Sequence, residues 1–345
     1  MKSSKNVLLT GITGFVGSHT AIQLLEKGYH VTGTLRDMKK ADAIKNVIAQ
    51  HTSAIDNLSF AEADIQDAAI WKQLMAGMDY VQHIASPFPK IMPKDESDLI
   101  IPARNGNINI LKAATDNNVK RVVITSAGAA ITYGQPPELR SRIFDENDWS
   151  DENNNDDMTP YFKSKIIAEK AAWAFMKKNN PGMELSVVCP GFILGPLLKK
   201  DFNASTNAII KMLDGSLPAL PKLGFDIVDV RSVASLLILA MELPQAANQR
   251  YIAAAGYLSM NQISAMLKKE YPKMKIPSKI LPNWLVRIFS NFDATLKPIL
   301  PDLGVERKLN NSKAIGHLGW KPIEPEEAVL SCAASILQLG IVKKK

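Results

Sequence analysis

The stretch Thr10-Gly11-Ile12-Thr13-Gly14-Phe15-Val16-Gly17 constrains this chain more than any other, because of what flanks it. The apolar run Val7-Leu8-Leu9 precedes it, and Ala21, Ile22, Leu24 and Leu25 follow with helical spacing. A strand that turns through spaced glycines into a helix gathers free backbone N–H groups at the positive end of the helix dipole, which makes an anion site without side chains. The glycines divide the work. Gly11 permits the tight turn, Gly14 lets the backbone approach a pyrophosphate, and Gly17 lets the helix pack closely on the strand. Glycine spacing alone is weak. Set in the first strand–turn–helix unit of a chain, it predicts dinucleotide binding.

The rest of the chain repeats that rhythm. Strands are expected over Asn6 to Thr10, His30 to Thr34, Leu58 to Ala61, Tyr80 to Ile84, Arg121 to Thr125 and Leu185 to Cys189, with amphipathic helices between them. Alternation of this kind predicts an α/β fold, a doubly wound parallel sheet of the Rossmann type covered on both faces. Two stretches break the pattern. From Gly134 to Thr159 the chain is too polar for a sheet element, and its run Asp151 to Asp157 reads as a surface excursion. After Cys189-Pro190-Gly191, prolines separate short helices, which predicts a smaller, mainly helical lobe. The expected division is a dinucleotide-binding domain over 1–190 and a substrate-binding lobe over 191–345, with segments of about 225–255 returning to the first domain.

Composition limits the remaining function classes. With 46% hydrophobic and 22% charged residues among 345, the chain is globular rather than disordered or fibrous. Val233 to Met241 falls well short of the roughly 20 apolar residues of a membrane span, so no transmembrane helix and no membrane partner is expected. The basic start Met1-Lys2-Ser3-Ser4-Lys5 leads to no cleavage site, which suggests a cytoplasmic protein. Cys189 and Cys332 lie far apart and agree with a reducing compartment. Five scattered histidines supply no metal-ligand spacing, and no metal is expected. The net charge of +7 is modest, Lys343-Lys344-Lys345 reads as a solvated tail, and without a basic stripe interleaved with aromatics no nucleic-acid partner is expected. A small-molecule substrate remains, bound by a monomer or homodimer.

The second strand indicates which dinucleotide. An NAD site usually presents a carboxylate to the ribose 2′-hydroxyl at the end of this strand. Here the strand ends in Thr34-Leu35-Arg36-Asp37. A guanidinium suits a 2′-phosphate and offers a hydroxyl no acceptor, so Arg36 favours NADP(H), with Lys39 and Lys40 nearby. Asp37 keeps NAD open. Asp64, after the third strand, can meet the adenine amino group.

Tyr161 and Lys165, four apart on a helix-patterned segment, share a face. A nearby ammonium stabilises a phenolate, so Lys165 is expected to lower the Tyr161 pKa and make it a proton donor. Tyr271 and Lys275 repeat the spacing, but Pro272 argues against a helix there. Val122-Val123-Ile124-Thr125-Ser126 ends a strand in hydroxyls at the edge where open α/β sheets bind ligands, and Ala85-Ser86-Pro87-Phe88 follows the fourth strand at that same edge.

Together these residues resemble the extended short-chain dehydrogenase/reductase family, in particular its branch of dihydroflavonol-4-reductases, cinnamoyl-CoA reductases and NADPH-dependent carbonyl reductases. The similarity extends along almost the whole chain, through Pro102-Ala103-x-x-Gly106, Asp229-Val230-Arg231 and Leu318-Gly319-Trp320. It implies NADPH as hydride donor to a ketone or aldehyde, and Ser126, Tyr161 and Lys165 as catalytic residues. The candidate cofactor contacts are Gly11, Thr13, Gly14, Phe15, Val16 and Gly17, then Arg36, Lys40, Asp64, Ile65, Ala85, Ser86, Pro87, Thr125, Tyr161, Lys165 and Pro190. One departure stands out: the branch reads Thr-Ser-Ser with its catalytic serine last, and this chain has Thr125-Ser126-Ala127. Either Ser126 takes that role, or Thr125 or water does, or activity is lost. Cys189-Pro190 also replaces the branch's usual Asn-Pro or Ile-Pro. Two other functions stay in view, an NAD-dependent sugar-nucleotide epimerase or dehydratase and a non-catalytic NADP-sensing protein.

Overall fold

Seven strands pair into one fully parallel sheet in the computed structural model, which describes residues 5–87, 95–179, 182–201, 203–292 and 294–343. In chain order they are β1 Asn6–Thr10, β2 His30–Leu35, β3 Leu58–Glu62, β4 Tyr80–His83, β5 Arg121–Thr125, β6 Glu184–Pro190 and β7 Gln249–Ala253. The spatial order is β7-β6-β5-β4-β1-β2-β3. Val7, Leu8, Leu9, Val122 and Val123 are fully buried, as expected of strands covered on both faces. Helices α1 (Phe15–Glu26) and α4 (Val230–Glu242) pack on one face, and α2 (Ser97–Asp116) and α3 (Pro160–Asn179) on the other. From β1 the chain proceeds outward through β2 and β3 on one side, and through β4 to β7 on the other. The crevice beyond the carboxyl ends of β1 and β4 is where this topology binds ligands. The fold is the doubly wound Rossmann sheet, as the sequence pattern indicates.

The C-terminal lobe is mainly helical and also holds a small mixed sheet: Phe192–Leu194 and Gly224–Asp229 pair parallel, and Gly256–Ser259 joins antiparallel. Helices Ala204–Leu213, Met260–Glu270 and α5 (Pro325–Gln338) bury a second apolar cluster around Ile209, Leu213, Ile227, Leu267 and Val329. Residues 134–159 depart from the sequence expectation. Ile143–Phe144 pairs with Lys308–Leu309, and Asp157 is buried, its Oδ2 2.5 Å from Nη2 of Arg307. Arg140 lies 3.4 Å from that same oxygen. The acidic run is therefore anchored at its far end by cations. A buried carboxylate persists where such partners offset its desolvation. Phe88, Met1 to Ser4, Lys344 and Lys345 lie outside the described residues.

Candidate active site

The glycine turn lies at the head of the crevice. Gly11 has φ +74°, and a Cβ there would meet the backbone nitrogen of Ala85 at 2.9 Å, so only glycine lets β1 and the β4 exit approach this closely. A Cβ on Gly17 would lie 2.1 Å from the Gly11 carbonyl oxygen. Gly14 is the exposed N-cap of α1 and has no side chain to occupy the first helical N–H groups. Thr13, Phe15 and Val16 are half-buried around the same turn. Thr10 Oγ1 accepts from the N–H groups of Ile84 (3.1 Å) and Ala85 (3.0 Å), which ties the β4 exit, with half-buried Ala85, Ser86 and Pro87, to the turn. Thr10 Oγ1 also lies 2.9 Å from Nδ1 of buried His83, whose pKa burial depresses to about 4.

At the ribose end, Arg36 is exposed just past β2. Asp37 is otherwise engaged: it caps the short helix Met38–Lys40, accepting the Lys39 N–H at 3.0 Å. The fold thus turns one oxygen of the neighbouring carboxylate to its own backbone and leaves Arg36 exposed. Lys40 ends that helix, exposed. Asp64 is half-buried and accepts the Gln66 N–H at 2.9 Å, and Ile65 packs at the face of α2 carrying Gly106.

Helix α3 begins with Pro160, whose fixed φ suits a first turn. Spacing of four then puts Tyr161, Lys165 and Glu169 on one face. The Lys165 ammonium sits 6.0 Å from the Tyr161 ring centroid. Lys165 is 9% exposed, and burial lowers its pKa to about 8. Tyr161 departs from expectation: burial raises its pKa to about 12 instead of the cation lowering it. At 6.0 Å from the ring, one partly desolvated ammonium does not outweigh the loss of water around a phenolate. The phenol is consequently protonated at neutral pH, the form a proton donor requires. Tyr271 and Lys275 do not form a helical unit, since the helix before them ends at Glu270.

Lys165 shares a small cavity with Ser86, Asn107, Thr125, Ser126 and Glu169 at the carboxyl ends of β4 and β5. Ser126 is 6% exposed and donates its hydroxyl hydrogen to Glu169 Oε2 at 2.5 Å. Glu169 is in turn clamped by Arg250, with Nε 2.6 Å from Oε1 and Nη2 3.3 Å from Oε2, and receives the Trp173 indole N–H. Arg250 lies over the Trp149 ring, its guanidinium carbon 3.9 Å from the centroid. Ser126 therefore has its one hydrogen committed to a carboxylate. Thr125 Oγ1 is buried with no hydrogen-bond partner among the described residues. Pro190 is buried at the end of β6, its carbonyl accepting the Gly128 N–H at 2.7 Å.

Three residues here escape sequence reasoning. Glu169 and Arg250 lie 81 apart in the chain, and nothing in either local pattern announces the pair. Lys199, from the lobe, donates to the Thr13 carbonyl at 2.8 Å and brings a cation to the glycine turn. A wider cleft between α1 and α5, lined by His19, Glu26, His51 and Arg231, contains none of the expected site residues. Among the described residues no cluster of three or more His, Cys, Asp or Glu could hold a metal ion, and no helix is long and apolar enough to cross a membrane.

Residues 7–254 match the family model described as the NAD dependent epimerase/dehydratase family. Cinnamoyl-CoA reductase 1 of Oryza sativa subsp. japonica is 34% identical over 276 residues, 79% of this chain and 78% of that protein. An anthocyanidin reductase of Vitis vinifera is 31% identical over 287 residues, 79% of this chain and 83% of that protein. Among solved structures, the yeast methylglyoxal/isovaleraldehyde reductase Gre2 complexed with NADPH aligns with TM-score 0.80 and 26% identity, covering 97% of this chain and 99% of that one. Gre2 of Candida albicans in complex with NADPH gives 0.80 and 28%, covering 97% and 99%.

Proposed function

This chain belongs to the NAD dependent epimerase/dehydratase family, the extended short-chain dehydrogenase/reductases, and on that premise we propose that it is an NADPH-dependent reductase of ketones or aldehydes. One observation carries the reading. A buried lysine with its neighbouring carboxylate already taken by Arg250 stands beside a protonated tyrosine, at the carboxyl edge of a sheet whose first turn is shaped for a pyrophosphate. The residues fit the cofactor: a first turn of α1 left uncapped by any side chain, an exposed Arg36 beside an Asp37 that caps its own short helix, and a cation at Lys165 able to bond a ribose hydroxyl. NADPH, when bound, supplies the hydride that reaches the carbonyl carbon.

The chain's own residues handle the charge left on oxygen. As hydride arrives, the carbonyl oxygen becomes an alkoxide, a stronger base than a phenolate, and Tyr161 transfers its Oη proton to it. A phenol held near pKa 12 is protonated for that purpose, and Lys165 stabilises the phenolate that remains. Glu169 and Arg250 fix Ser126, so of the two hydroxyls at the end of β5 the one that can still donate to the developing oxyanion is Thr125. The test is NADPH consumption against a panel of aldehydes and ketones, with NADH in parallel. Turnover favouring NADPH is the expected result. NADPH binding without turnover would instead support the sensing reading, which the Thr125-Ser126-Ala127 triplet motivates, and retention of NAD through purification would support the epimerase reading.

A further inference from the structure

Residues 268–297 carry seven lysines and arginines against two acidic residues, a net +5, while the other 315 residues of the chain carry the remaining +2. In the middle of this stretch lies the helix Asn283–Phe289. One side of it is buried in the lobe through Val286 (2% exposed) and Ser290 just beyond its end (4%). Its other side presents Trp284 (61%) and Ile288 (45%) to solvent, with Phe289 (46%) on the flank, Ile280 (50%) before the helix and Phe292 (86%) after it. Ten large hydrophobic side chains are exposed among the described residues, and these five, within thirteen residues, are half of them. Single exposed hydrophobics are ordinary, but a contiguous group marks a contact surface.

Charge decides what it contacts. A second copy docking through this face in a two-fold interface would set the same basic segment against itself. A basic segment carrying protruding Trp and Phe rings has the opposite relation to an anionic lipid surface: rings enter the headgroup region, and each cation near the surface adds attraction. Lys279 and Arg287, both exposed, directly adjoin Ile280 and Ile288. We propose that this face of the lobe docks on the surface of a membrane containing anionic phospholipid, with Trp284 and Phe292 as the inserting rings. The protein would lie on the bilayer without crossing it. The vesicle-binding readout is independent of the reductase reading, which only the carbonyl-reduction control rests on.

The test is sedimentation of the full chain with vesicles of phosphatidylcholine alone and of phosphatidylcholine containing about 30 mol% phosphatidylserine. Binding only to the anionic vesicles, released at about 0.5 M salt, is expected. W284A/F292A should weaken that binding at least about tenfold, and K279E/R287E on the order of 10²-fold, since each basic residue near the surface contributes about fivefold. Reduction of a water-soluble carbonyl should be unchanged in both. Wild-type protein remaining in the supernatant with anionic vesicles overturns the proposal, as does anionic binding that neither variant weakens. A self-association that W284A/F292A abolishes, without vesicle binding, assigns the face to a second copy instead.

Discussion

Replacing Thr125 with valine separates the two hydroxyls at the end of β5, because the structure gives them different partners. Valine has nearly the shape of threonine, and Thr125 Oγ1 is buried with no hydrogen-bond partner among the described residues, so the exchange breaks no hydrogen bond to any of them. Removing an unsatisfied buried hydroxyl relieves a cost of roughly 1–3 kcal/mol, so Tm should hold or rise. If Thr125 donates to the developing oxyanion, kcat should fall on the order of 10² to 10³-fold, about 2.7–4 kcal/mol of transition-state stabilisation. Ser126→Ala should behave in the opposite way. It withdraws a hydrogen bond from Glu169, a carboxylate 1% exposed, and should cost roughly 1–3 kcal/mol of stability while lowering kcat less than about tenfold. Thermal melts and steady-state kinetics on both variants form the assay. A Thr125→Val protein with wild-type kcat, beside a Ser126→Ala protein that folds normally and is slowed a hundredfold, would refute the assignment.

Other consequences can be checked separately. Arg36→Ser should raise KM for NADPH about 10- to 100-fold and leave KM for NADH nearly unchanged, because only the former carries the 2′-phosphate. Lys165 is depressed to about 8, so its cation is lost as pH rises through that value; NADPH affinity in a fluorescence titration should decline above about pH 8. His19 and His83 are both held near pKa 4 by burial, below their ordinary 6.5. They are neutral in the fold and bind protons on unfolding, so stability is full above about pH 6.5 and is lost as pH falls toward 4, on the order of 3 kcal/mol for each, readable in denaturant titrations at several pH values. Arg250→Leu strands Glu169 without its cation and should destabilise the protein by about 3–5 kcal/mol.

The sheet was legible because its strands are short apolar runs bounded by turn residues, and a two-sided buried strand needs little more. Strand β7 is the exception. It opens with Gln249 and Arg250, and the arginine is buried against partners far away in sequence, Glu169 and the carbonyls of Ala130 and Asp148. The acidic run failed for a related reason: Asp157 looks like a solvated carboxylate until Arg307 is placed beside it. Within the site, residues whose position is set locally could be placed from the sequence, among them the glycines of the turn, whose need is written in backbone geometry, and Arg36, exposed just past a strand end. The Tyr161–Lys165 spacing shows a shared face, but the direction of the phenol's pKa depends on how much water the fold removes from it, and spacing does not encode that. Likewise Thr125 and Ser126 are adjacent hydroxyls in the sequence, and only the position of Glu169 tells them apart.

Tyr161→Phe removes the proton donor alone, with NADPH binding followed by fluorescence and turnover followed on the best carbonyl substrate of the wild type. The expected result is an affinity within a few-fold of wild type, since the phenol oxygen is all that is removed, and a kcat lower by about 10² to 10⁴-fold. A Tyr161→Phe variant that reduces the carbonyl at the wild-type rate would contradict the claim that Tyr161 delivers the proton.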